Sequence, residues 1–113
     1  MKLPICLMIF LVAAFGAPPL RAQVLPDPQR GSSVVQQVCS ECHATRSQDG
    51  RSPNTRAPTF PELAATPGMT SAALTVALTT PHAGMPMFRL SPEQKADIIA
   101  YILSLKPSDP PRR

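Results

Sequence analysis

Apolar positions fall into distinct patterns along the chain. A continuous apolar run covers residues 3–17, broken only by Pro4 and Gly16. Further on, Val34 pairs with Val38, and Val35 with Cys39, at spacings of four. That period predicts a helix over residues 31–42 with one apolar face. Near the end Ile98, Tyr101, Ile102 and Leu105 recur on one helical face, widened by Ile99 and Leu103, and predict a second long helix. Its start is written in Ser91-Pro92-Glu93-Gln94, with Ser as N-cap, Pro at the first helical position and Gln three residues after the cap. Pro107 stops it.

Between these helices, residues 44–81 are rich in Pro, Ser and Thr and read largely as loops. Two short helices are expected there. One spans residues 60–65; the other spans 71–78, with Thr70 as cap and Leu74 and Leu78 facing inward. The pattern as a whole predicts an all-α fold of three to four short helices joined by extended loops.

The chain has 113 residues, about one domain, with 15 Pro and only 4% aromatic residues. A core built from such a composition alone is thin, so something besides side chains is expected at the centre. The apolar run at 3–17, preceded by Lys2 and followed by a small residue at Ala22, reads as a secretory signal peptide over residues 1–22. It is too short, and wrongly flanked, for a spanning helix. Cys6 lies within it and is expected to leave with it. The remainder divides into a linker at 23–30, a folded domain at 31–106 and a Pro-rich tail at 107–113. Loss of the leader removes two of the eleven Lys and Arg and none of the seven Asp and Glu, so the net charge of +4 falls to +2. Charge therefore implies neither nucleic acid nor a membrane surface as partner.

The decisive constellation is Cys39-Ser40-Glu41-Cys42-His43. Two thiols three residues apart on one helical turn can add to the two vinyl groups of a haem, and the adjacent imidazole then meets the iron. The competing uses of such a pair fit less well. A thioredoxin-like dithiol needs a βαβ setting. A zinc site needs four ligands, and only Cys39, Cys42, His43 and the distant His82 are on offer. A disulfide across two residues closes too small a loop to stabilise much. A haem iron also has an opposite face to fill, and a ligating imidazole needs an acceptor for its second ring nitrogen.

These residues resemble the class I c-type cytochromes, specifically short bacterial periplasmic members. The likeness spans residues 31–106 and rests on Gly31 and Val35 ahead of the cysteine motif. It also rests on Ala57-Pro58-Thr59-Phe60, on His82-Ala83-Gly84-Met85-Pro86 and on Ile98-Ile99-Ala100-Tyr101-Ile102. Val35 stands where an aromatic is common in the family. The resemblance implies that the first and last helices cross at right angles, with Gly31 and Tyr101 at the crossing. It implies one covalent haem c, with His43 as the proximal ligand. It assigns the carbonyl that orients His43 to Pro58, whose context matches better than that of Pro53. It makes Met85 the distal ligand, because a methionine precedes a proline there in the family. Spacing alone does not separate Met85 from Met87, and His82 is a further rival; Met69 reads as pocket lining.

A six-coordinate haem leaves no open position for a substrate, and no acid, base or nucleophile cluster stands elsewhere in the chain. The expected role is therefore electron transfer and not catalysis. Expected partners are a redox donor and an acceptor, docking briefly on a periplasmic monomer. Two other roles stay open: a dedicated haem subunit of a periplasmic dehydrogenase or similar complex, and a ligand-binding or peroxidase-like protein whose distal Met leaves easily. Arg51, Arg56 and Arg89 read as solvated charges.

Overall fold

The computed structural model describes residues 24–108. The expected leader at 1–22 lies outside the described residues, as do positions 109–113 of the tail. Four helices follow one another: α1 (Pro28–Val38), α2 (Phe60–Ala65), α3 (Ser71–Thr79) and α4 (Pro92–Ser104). Among the described residues there is no strand, only an isolated bridge between His82 and Met85. The architecture is the all-α one expected.

Three of the four helices begin where the sequence places them. Ser91 and Gln94 close the capping box of α4, and Thr70 caps α3, which runs to Thr79. Thr59 and Glu62 form a second capping box at α2. The exception is α1, which starts at Pro28 and not at Gly31, inside the stretch read as linker. The cause is local. Asp27 is the N-cap and accepts from the Gln29 amide at 2.8 Å, and Pro28 supplies a preset φ in the first turn. At its other end α1 stops at Val38, four residues before the expected limit, and the chain turns. The Ser40 amide donates to the Val35 carbonyl at 3.1 Å, and the Cys42 amide to the Cys39 carbonyl at 3.1 Å.

The closest helix pairing is between α1 and α4. Gly31 permits it, because a Cβ there would overlap the Asp97 carbonyl and come within 2.9 Å of the Tyr101 Cβ. Val35 and Ile98, both fully buried, meet in the core, and Cys39, Phe60, Ala64, Leu74, Ile99 and Ile102 extend it. Val35 thus fills a central position with an aliphatic side chain.

One carboxylate is buried in this junction. Asp97 is 5% exposed. It accepts from the Asp27 amide at 2.7 Å and from Arg30 through Nε at 2.8 Å and Nη2 at 3.0 Å. The hydrogen bonds from Arg30, then that from the Asp27 amide, hold the Asp97 carboxyl below the usual aspartate range. A second polar tie leaves α4 for the loop after the cysteine motif: the Tyr101 hydroxyl donates to the Thr45 carbonyl at 2.8 Å.

Candidate haem site

Three segments line one cavity of about 400 Å³. The end of α1 and the turn after it contribute Val38, Cys39, Glu41, Cys42 and His43. The following loop contributes Asn54, Arg56, Ala57 and Pro58, and the loop before α4 contributes His82, Ala83, Gly84, Met85, Pro86 and Phe88. The volume is in the range of pockets that hold cofactors.

The loop at 52–60 is strapped to the cysteine motif by two backbone hydrogen bonds and one through a serine hydroxyl. The Asn54 amide donates to the Cys42 carbonyl (3.1 Å), the Ala44 amide to Ser52 Oγ (3.0 Å) and the Phe60 amide to the Ala44 carbonyl (2.9 Å). These bonds bring the Pro58 carbonyl to 2.7 Å from His43 Nδ1. A carbonyl only accepts, so Nδ1 carries a proton and Nε2 is the ring nitrogen left to act as a ligand. The Phe60 ring stands 5.3 Å from the imidazole, tilted by 52°, and limits how the ring can turn.

Cys39 and Cys42 are both free thiols. Burial pushes the Cys39 thiol up to about 11. At neutral pH it is therefore protonated. Among the described residues no three His, Cys, Asp or Glu side chains converge as metal ligands.

On the third segment, Met85 is half-buried and reaches the cavity lining, within a turn closed by its own amide donating to the His82 carbonyl at 3.3 Å. Gly84 takes φ +81° in that turn, a conformation that disfavours any side chain. Met87 is 53% exposed and outside the lining. Met69 does not line the cavity, contrary to expectation. It packs on the hydrophobic core, and its carbonyl accepts from Lys106 Nζ at 2.8 Å. Of the three arginines, only Arg56 borders the cavity.

Sequence reasoning missed the straps from Ser52 and Asn54, the lining positions of Arg56 and Phe88, and the contact of Phe60 with His43. Ser and Asn in a polar loop carry no periodic signal. The start of α2 at Phe60 was expected, and Thr59-Phe60-Pro61-Glu62 is the capping-box sequence that fixes it.

Two thiols on one turn, an imidazole oriented through Nδ1 and a thioether around one cavity form a donor set that fits a covalently held haem. The fold is that of a class I c-type cytochrome. Residues 26–102 match the family described as cytochrome c oxidase, cbb3-type, subunit III. Over 103 residues the chain is 33% identical to cytochrome c-552 of Bradyrhizobium diazoefficiens, which covers 91% of this chain and 93% of that protein. The chain belongs to this family of c-type cytochromes. Covalent haem c and haem-based electron transfer come with that membership. No solved structure matches the chain. No helix among the described residues is long and apolar enough to cross a membrane.

Proposed function

We propose that this chain is a periplasmic single-electron carrier holding one haem c through thioethers to Cys39 and Cys42, with His43 and Met85 as axial ligands. The observation that carries the reading is the convergence of those four side chains on one cavity, with His43 Nδ1 held 2.7 Å from the Pro58 carbonyl. When bound, the haem supplies a one-electron cycle at iron. The protein's own residues do the rest. Pro58 fixes the orientation of His43 and raises the basicity of Nε2. The Met85 thioether favours the ferrous state, so the potential sits above that of a bis-histidine site. With His43 and Met85 both holding the iron, no ligand position would remain for a substrate, and the role would be transfer and not catalysis. In this reading residues 1–22 direct export and are removed, and the mature monomer docks transiently with donor and acceptor.

The test is an optical spectrum with an intact mass. The expected result is a mass equal to residues 23–113 plus one haem, retained in acid acetone, and a weak far-red sulfur-to-iron band in the oxidised protein. Replacing His43 abolishes maturation, and Met87→Ala keeps the band. Haem released by acid acetone overturns the attachment.

A second reading is favoured by the description of the matching family, an oxidase subunit: the chain serves as a fixed haem subunit of a larger redox complex. Size exclusion of a native periplasmic extract separates the two. A carrier elutes at the chain's own size, a subunit with its complex.

A further inference from the structure

His82 has no part in the ligand set proposed above, yet it has the position and the hydrogen bonding of a metal-ligating histidine. It borders the same cavity as Cys39, Cys42, His43 and Met85. It is also the bridge partner of Met85 in an antiparallel pair. Residues paired in this way carry their side chains on the same side of the ribbon, with Cβ atoms about 4.5–5.5 Å apart. The imidazole and the thioether therefore leave the backbone as neighbours.

The second observation concerns the ring itself. His82 Nδ1 lies 3.2 Å from the Thr80 carbonyl, which only accepts, so the proton sits on Nδ1. Nε2 has no protein partner among the described residues. A carbonyl on one ring nitrogen, with the other nitrogen unengaged by protein, is the arrangement that metal-bound histidines adopt. His43 and His82 share it, on two segments of one cavity. The loop can deliver His82 because little holds it: residues 81–84 and 86–89 are all exposed, and the turn is closed by a single long backbone bond of 3.3 Å.

From these observations we infer that His82 is a reserve distal ligand, whose Nε2 takes the iron position when the Met85 sulfur is lost to it. The chemical occasion is oxidation of the half-buried Met85 by a peroxide. The thioether sulfur gives up two electrons and takes one oxygen atom, and a peroxide such as hydrogen peroxide is reduced to water or, if organic, to an alcohol. The sulfoxide is no longer a soft sulfur donor. His82 then keeps the site six-coordinate, so a damaged carrier does not become an open haem that reacts with more peroxide. The inference rests on Met85 being the resident ligand.

The experiment uses the mature holoprotein. Met85→Ala is expected to lose the far-red sulfur band yet remain low-spin, with the optical and electron paramagnetic resonance signature of two imidazoles. Adding His82→Ala to it is expected to turn the iron high-spin and to speed carbon monoxide binding by the reduced form. Wild type treated with hydrogen peroxide until mass spectrometry shows oxidised Met85 is expected to give the same two-imidazole signature, which covers the case in which Met85→Ala fails to mature. A high-spin spectrum for Met85→Ala or for the peroxide-treated protein overturns the inference. Absence of the sulfur band from untreated wild type, or its survival in Met85→Ala, overturns instead the assignment of Met85 on which the inference stands.

Discussion

Gly31 in α1 lies so close to Asp97 in α4 that a Cβ on the glycine would overlap the Asp97 carbonyl. Alanine gains about 1 kcal/mol over glycine in a helix interior. Overpacking costs about 1–3 kcal/mol, and more when, as here, the obstacle is backbone that cannot rotate away. Gly31→Ala is therefore expected to destabilise the protein on balance by about 2 kcal/mol or more. A urea midpoint equal to or above that of wild type contradicts this account.

Asp97 makes stability depend on acid. Its folded-state carboxyl is held below the usual aspartate value by Arg30 and the Asp27 amide. A depressed folded value means that its contribution is complete above the unfolded value of about 3.9 and is lost as pH falls through the folded one. Wild type should lose stability on acidification below about pH 4. Asp97→Asn should be less stable at neutral pH and should lose less over the same acid range. Equal slopes for the two proteins between pH 5 and pH 2 would remove Asp97 from the acid response.

Phe60 is 4% exposed and stands beside the His43 ring. Phe60→Ala should cost about 3–5 kcal/mol from the cavity left behind. It should also loosen the imidazole, which broadens the low-spin electron paramagnetic resonance lines of the holoprotein. Pro58→Ala is the contrasting change. It leaves the accepting carbonyl in place, so those lines should stay sharp.

The Tyr101 hydroxyl satisfies the carbonyl of Thr45, a fully buried residue. Tyr101→Phe keeps the packing and strands that acceptor, at a cost of about 1–3 kcal/mol. Thermal unfolding monitored at the haem band measures it, and an unchanged midpoint would show that water replaces the hydroxyl there.

Long elements and short motifs were legible in the chain for different reasons. The α4 boundaries follow from Ser91, Pro92, Gln94 and the apolar face through Ile98 and Ile102, all local signals that the packing reinforces. The start of α1 was expected three residues late, at Gly31, because its cap in Asp27-Pro28 lies outside the apolar period that defines the rest of the helix. Asp97 sits four residues before Tyr101 on the face toward α1, where a carboxylate is out of pattern. Its reason is Arg30, 67 positions away, and no local rule connects the two. Likewise the cysteine motif was visible as a string. The straps that place Pro58 against His43 depend on Ser52 and Asn54, whose roles exist only once the loop has closed.

The pairing of α1 with α4 also orders events in time. Arg30 and Asp97 meet across nearly the whole folded length, so the junction cannot form until the last helix is present, and contacts of such long sequence separation are slow to close. Before then α1 lacks its partner, and Cys39, 8% exposed in the finished fold, is open to solvent with the thiol acidity of an unfolded chain. Chemistry at that sulfur is easiest in this interval. The helix that completes the fold also ends access to Cys39, so under the proposed attachment the haem has to be joined to that sulfur before α4 packs.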